Sequence, residues 1–194
     1  MEPSRFDSEI LPLARAHLDR FVTRAAERMP PAGRMLEIGA QGRTHVQDCF
    51  PGWTIESFDL VDTHAPAHVG DLTRHNPGIE DGRFDAIACL EVLEHTVDPF
   101  AAVRELRRML ADGGVLLVSS PLNFRIHGPI PDCWRFTEHG WRVLLKDFEI
   151  LDLDVMETPD RPLFPVKYNI RARADHARAI DPRTLSFAPI QPRP

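Results

Sequence analysis

The ten residues Arg34-Met35-Leu36-Glu37-Ile38-Gly39-Ala40-Gln41-Gly42-Arg43 constrain the fold more than any other stretch of the chain. An apolar, strand-like run carries an acid near its end, and two glycines follow almost at once. Glycine is required where a side chain would collide with a ligand, or where φ must be positive. Such a turn belongs at the carboxyl end of the first strand of an open α/β sheet, which is where those sheets bind ligands. The spacing narrows the choice. A dinucleotide fingerprint needs Gly-x-Gly-x-x-Gly, and here Gln41 and Thr44 stand at its second and third glycine positions. A phosphate-cradling loop would end in Gly-Lys-Ser/Thr, and that ending is absent.

Around this turn the chain alternates helical and strand patterns. Ile10, Leu13, Ala14, Leu18, Phe21, Val22 and Ala25 fall on one face of a helix predicted from Asp7 to about Arg28. Met29-Pro30-Pro31-Ala32-Gly33 breaks it. Thr44 to Phe50 reads as a short helix, and Trp53 to Asp59 as a second strand ending in an acid. Asp59 follows Gly39 at the interval, about 20 residues, at which such sheets place a carboxylate on ribose hydroxyls. A carboxylate suits a diol because it accepts two hydrogen bonds at once; Asp62 is the nearby competitor, and a solvated strand end or helix cap is the plain alternative. Val69-Gly70-Asp71-Leu72 reads as a third strand, and Arg83 to Glu91 as a buried parallel one. Asp98 is placed to cap a helix starting at Pro99, with Phe100, Val103, Leu106 and Leu110 as its stripe. Asp112-Gly113-Gly114 is predicted to stop that helix before a strand at Val115 to Ser119. Phe148 to Val155 alternates as a strand, with Val166 to Ala172 beside it.

Composition sets limits. A chain of 194 residues with 43% hydrophobic residues can bury one core of ordinary size, not two. A net charge of -6 disfavours a nucleic-acid partner, which usually meets a basic face. No apolar run is long enough to span a bilayer, and no charged-then-apolar amino terminus resembles a signal peptide, so a cytoplasmic protein without a membrane partner is expected. Cys49, Cys89 and Cys133 are far apart and odd in number, and read as free thiols. His64, His68 and His75 lie in a loop without helical register, and no metal is expected.

Three later motifs complete a pattern. Phe84-Asp85-Ala86-Ile87, Leu90-Glu91-Val92-Leu93-Glu94-His95 and Leu110-Ala111-Asp112-Gly113-Gly114 follow the Glu37-x-Gly39-x-x-Gly42 turn in order. Together they resemble the class I S-adenosylmethionine-dependent methyltransferases, with spacings that agree from Leu36 to Pro121 and a resemblance that extends to Val155. Gln41 departs from the glycine many members carry. The resemblance implies S-adenosyl-L-methionine as cofactor, S-adenosyl-L-homocysteine as product, and a doubly wound, mostly parallel seven-stranded α/β sheet, Rossmann-like, with an antiparallel edge and an N-terminal helix. It implies that Glu37 orients the ammonium of the methionine part, that Asp71 meets the adenine amino group, and that backbone near Cys89 and Leu90 meets the methionine part. The implied cofactor set is Glu37, Gly39, Ala40, Gln41, Asp59, Leu60, Asp71, Leu72, Cys89, Leu90 and Glu91. Glu91 and His95 stand at the mouth, where His95 either pins the loop or is a catalytic candidate that faces substrate or transfers a proton.

The stretch Ser120 to Thr137 follows a strand's carboxyl end and must pass over the cleft. Its His127…Asp132-x-Trp134-Arg135-Phe136-Thr137 pattern resembles a subgroup acting on small molecules and glycans. Methyl transfer is an in-line attack, so holding the reactants aligned supplies much of the acceleration. A hydroxyl nucleophile also needs its proton removed, which suits a histidine. His127 is the leading base candidate, with a loop-bracing role as the alternative; Asp132 orients it or acts in its place. Arg125, Trp134 and Arg135 are the substrate-contact candidates. Trp134 and Phe136 could equally be packing, and Arg135 could pair within the loop. Thr137 is placed to cap a helix through Trp141, Leu144 and Leu145, with Glu138 in its first turn.

The division expected is a helical segment over 1–33, a cofactor-binding domain over 34–175 and a Pro-rich tail over 176–194, of which the last dozen residues look loosely held. That tail could cover the substrate or mediate homodimer contacts. The function expected is O-methylation of a small-molecule or sugar acceptor. N-methylation, a non-catalytic cofactor-binding partner and, more distantly, a nicotinamide dehydrogenase or nucleic-acid methylation are the alternatives.

Overall fold

The computed structural model describes residues 4–191. Its helices are α1 Arg5–Ala26, α2 His45–Cys49, α3 Pro99–Met109 and α4 Glu138–Leu144. Its strands are β1 Gly33–Ile38, β2 Trp53–Asp59, β3 His68–Val69, β4 Phe84–Leu90, β5 Leu110–Pro121, β6 Phe148–Thr158 and β7 Arg161–Ala174. The strands form one sheet in the order β3-β2-β1-β4-β5-β7-β6. The pairings from β3 to β5 are parallel, and β7 runs antiparallel to both its neighbours. The expected doubly wound sheet with an antiparallel edge is what forms. The chain winds outward from β1 to β3 and then returns to β4, so a crevice opens where β1 and β4 part.

Alternation along the central strands decides which helix covers which face. Met35, Ala86, Ala88 and Leu117 point to α1 and meet Phe21, Val22 and Ala25. Leu36, Ile87, Leu116 and Val118 point the other way and meet Ala102, Val103, Leu106 and Met109 of α3 with Trp141 of α4. Ser4 and Asp7 start α1 with a reciprocal capping box. Asp98 caps α3 by accepting the Ala101 N–H at 2.9 Å, and Thr137 caps α4 by accepting that of Gly140 at 3.1 Å.

Three elements differ from the sequence reading. The third strand ends at Val69, because Asp71 accepts the Thr73 N–H at 2.9 Å and folds the chain into a local turn. The Asp112-Gly113-Gly114 stretch does not separate α3 from β5. Leu110 already pairs with Phe84 and Val115 with Ala86, so residues 111–114 bulge within β5, with Gly113 at φ +78°. The Pro-rich stretch is fastened as far as Ala188. Arg107 donates to the carbonyls of Asp175 and Arg178 at 2.7 and 2.9 Å, Asp147 accepts the Ile180 N–H at 2.9 Å, and His139 lies 3.0 Å from the Ala188 carbonyl. Among the described residues no helix is long and apolar enough to cross a membrane.

Candidate active site

The carboxyl ends of β1, β2 and β4 frame a cleft of about 350 Å³, within the usual range of small-ligand sites. Gly39 lies in its floor at φ +68°, and a Cβ there would come to 3.0 Å from Val92 Cγ2. Gln41 adopts φ +50°, the left-handed conformation that glycine takes freely, so the turn keeps its shape despite the substitution. Asp59 stands on one wall with Leu60, which is 66% exposed and lies open to a ligand. The Asp59 carboxylate takes the Leu60 N–H on Oδ1 at 2.7 Å, which fixes its direction at the strand end.

Asp71 and Leu72 line the same wall. Asp71 Oδ1 accepts from both the N–H and the hydroxyl of Thr73, and Oδ2 accepts from Arg74 Nε at 3.3 Å. These bonds lower its pKa against the opposing effect of burial. Its carboxylate therefore shapes the turn. Cys89, within β4, is fully buried and does not line the cleft, and its thiol is pushed up strongly by desolvation.

Glu37 and Ala40 open onto a second cavity of about 80 Å³ beneath α1, which Gly39 and Leu90 share with the main cleft. Glu37 is 6% exposed, and its Oε2 has no hydrogen-bond partner. Desolvation raises its pKa to about 7, partly offset by the Gln47 side chain. An acid so placed can meet a buried ligand cation.

The mouth of the cleft is the most densely built part. Glu91 follows β4 at φ +58°, a strained conformation for a non-glycine residue. Ser119 donates to its Oε1 at 2.6 Å, and Lys167, itself buried in β7, pairs with the same oxygen at 3.0 Å. Glu94 is wholly buried and neither carboxylate oxygen has a partner; desolvation, then the charge of Glu91, raises its pKa well above the carboxylate range. The His95 ring lies 4.9 Å from that of His127, edge to face. His95 Nδ1 is 3.0 Å from the Pro131 carbonyl, and His127 Nδ1 is 3.3 Å from Asp132 Oδ2.

Asp132 organises the loop after β5. Its side chain accepts the His127 N–H at 2.9 Å and a bidentate pair of hydrogen bonds from the Arg135 guanidinium. Arg135 holds the Asp132 carboxyl far below the usual range, which leaves it a weak proton acceptor that can still orient His127. The loop is tied to the Leu93–His95 turn, since Cys133 N–H donates to the Glu94 carbonyl at 2.7 Å and Trp134 Nε1 to that of Thr96 at 2.8 Å. None of Arg125, Trp134 and Arg135 lines the cleft. Arg135 is occupied by Asp132, Trp134 stacks on Phe136 at 6.3 Å, and Arg125 faces Asp7 of α1 at 3.8 Å. The apolar edge there is made instead by Ile130, 93% exposed, with Pro129 and Pro131. Sequence reading missed Glu94 and Lys167 as site groups. The Glu91-x-x-Glu94 spacing was a usable signal for the first; Lys167 carried none, because only the β5–β7 pairing brings it there.

An open α/β sheet with a glycine turn over the β1/β4 crevice, a carboxylate at the end of β2 and an orphaned buried acid on β1 defines a Rossmann-like protein for a nucleoside cofactor bearing a cation. Residues 13–156 match the family model described as "Methyltransferase domain", and the chain belongs to that family, the class I S-adenosylmethionine-dependent methyltransferases. The residues present suit this cofactor: Asp59 for a ribose diol, Gly39 for close backbone approach and Glu37 for the ammonium.

Among curated relatives, "Ubiquinone biosynthesis O-methyltransferase" of Xanthomonas campestris pv. campestris is 39% identical over 67 residues, 34% of this chain and 26% of that protein. The protein of the same name from Pseudomonas putida is 30% identical over 111 residues, 48% of this chain and 47% of its own. The chain thus spans between a quarter and a half of these relatives. Among solved structures, the N-methyltransferase NodS of Bradyrhizobium japonicum superposes with TM-score 0.61 at 16% identity, covering 88% of this chain and 99% of that one. The Burkholderia thailandensis 1,6-didemethyltoxoflavin-N1-methyltransferase, with S-adenosylhomocysteine bound, gives 0.57 at 16% identity, covering 88% and 87%. At these identities the structures share the fold.

Proposed function

We propose that the protein transfers a methyl group from S-adenosylmethionine to a hydroxyl of a small-molecule acceptor. The observation that carries this is the cluster of His95 and His127 at the cleft mouth with buried Glu94 behind them. A hydroxyl must lose its proton to become a good nucleophile, and this cluster offers groups that can assist that loss. A neutral amine would need no such equipment. The O-methyltransferase names of the curated relatives agree with this reading. The bound cofactor supplies an electrophilic methyl group on a sulfonium. The chain supplies alignment: Gly39 and Asp59 fix the cofactor's direction, and the loop at Pro129 to Pro131 gives the acceptor side an apolar edge.

The test is methyl transfer from labelled cofactor to matched panels of phenols, sugar hydroxyls and amines. Turnover on a hydroxyl acceptor that falls at least a hundredfold in His127→Ala is expected. Turnover confined to amines and indifferent to that substitution would overturn the oxygen reading.

A further inference from the structure

We infer that Glu94, His95 and His127 form a binding site for a divalent first-row metal ion. Among the described residues these three make the one cluster whose candidate ligand atoms all lie within 4.8 Å of one another. Ligands on such an ion bond at about 2.0–2.2 Å, so two of them stand at most about 4.4 Å apart, and closure of a few tenths of an ångström suffices.

Three further observations point to an ion. Both oxygens of fully buried Glu94 lack a hydrogen-bond partner, and a buried carboxylate without one is costly unless something binds it. His95 sets Nδ1 against the Pro131 carbonyl, which places the proton there and leaves Nε2 for Glu94, 3.9 Å away. His127 sets Nδ1 between Asp132 Oδ2 at 3.3 Å and the Arg125 carbonyl at 3.2 Å, which likewise leaves Nε2 unprotonated. Histidine ligands are oriented by just such bonds from their other nitrogen to a carboxylate or a carbonyl. The Glu91–Lys167–Ser119 group next door holds Glu91 away from the cluster. Two imidazoles and one carboxylate favour manganese, iron or zinc over magnesium.

The role of this ion rests on the methyl-transfer reading; the site itself does not. With the acceptor's hydroxyl oxygen as a further ligand, the ion lowers that hydroxyl's pKa. The proton leaves to water at the mouth, the oxygen forms the new bond to the methyl carbon, and the carbon–sulfur electron pair stays on sulfur as a neutral thioether. The sequence offered no such site, because its ligands lie on two loops about thirty residues apart.

The test titrates the full chain, stripped with chelator and free of any histidine tag, with Mn²⁺ by electron paramagnetic resonance and with Zn²⁺ by calorimetry. S-adenosylhomocysteine binding is measured in parallel. One saturable ion per chain is expected, weakened at least tenfold in Glu94→Gln and in His127→Ala, with S-adenosylhomocysteine affinity within twofold of the parent. His127 lies on the surface loop, so its variant remains informative if the buried one misfolds. No saturable ion, or binding indifferent to the variant that folds, overturns the site. Hydroxyl methylation undiminished in chelator overturns its role while leaving the methyl-transfer reading intact. Loss of S-adenosylhomocysteine binding in the parent would strike that reading alone.

Discussion

Glu37 shows how one residue's environment, and not its identity, sets its chemistry. Folding raises its carboxyl from the ordinary value of about 4.5 to about 7 through burial. The folded state therefore holds this proton more tightly than the unfolded chain. The stability so contributed is complete below about pH 4.5 and is lost as the pH rises through 7. Glu37→Gln, which keeps a neutral side chain at every pH, is expected to match the parent near pH 4. At pH 8 it should melt higher by about 2–4 °C, on the order of 1 kcal/mol for a domain of this size. A difference that stays constant across that range in calorimetric scans would contradict the burial argument. The position of Glu37 was legible in the sequence, as was that of Asp59, because both sit at fixed offsets from the glycine turn. The partners of Asp71 were not; for Asp132 a tie to His127, and for Arg135 a pairing within the loop, were readable, but not that Asp132 and Arg135 meet each other. Each of their short-range bonds depends on a loop conformation that periodicity does not encode.

Among the elements, α3 does more than cover the sheet. Arg108 bonds Glu105 at 2.7 and 2.9 Å, Asp81 at 2.6 Å and the carbonyls of Ile79 and Asn76 at 2.7 and 3.2 Å. Glu105 in turn accepts the Asn76 N–H at 2.7 Å. This hub fastens to α3 the loop that runs from Asp71, on the cleft wall, to β4. The bonds depress the Glu105 carboxyl to about 2, so its stabilising effect is present above about pH 4.5 and is lost as the pH falls through 2. Arg108→Met leaves a buried carboxylate without its cation and is expected to cost about 3–5 kcal/mol in urea unfolding at pH 7. Arg5→Met breaks the pair with Glu9, whose side chains are 93% and 63% exposed, and should cost under about 1 kcal/mol. Equal losses would show that the hub is no stronger than a surface pair. The helix itself was readable from Asp98-Pro99 and its apolar stripe. The start of β5 was not, since the Leu110–Phe84 pairing overrides the glycine signal at 113–114.

At the scale of the molecule, the succession of helical and strand segments was legible along the chain, and the family resemblance implied a doubly wound seven-stranded sheet; the strand order, with β7 inserted between β5 and β6, was not read from the residues. How the last stretch docks was not legible either, because its main-chain groups are met by the side chains of Arg107, Asp112 and Asp147, and a side chain of the stretch donates to the carbonyl of Lys146. None of these four residues lines the cleft. Truncation after Asp175 is therefore expected to lower the melting temperature while leaving S-adenosylhomocysteine affinity within twofold; a larger loss of affinity would give the segment a part in the site. The central claim, that the β1/β4 crevice binds the methyl donor through Asp59, is tested most directly by calorimetric titration with S-adenosylhomocysteine of the parent and of Asp59→Ala. Micromolar binding that the variant weakens at least tenfold, about 1.4 kcal/mol, is the result expected. Absence of binding to the parent, or equal affinity in the two proteins, would contradict it.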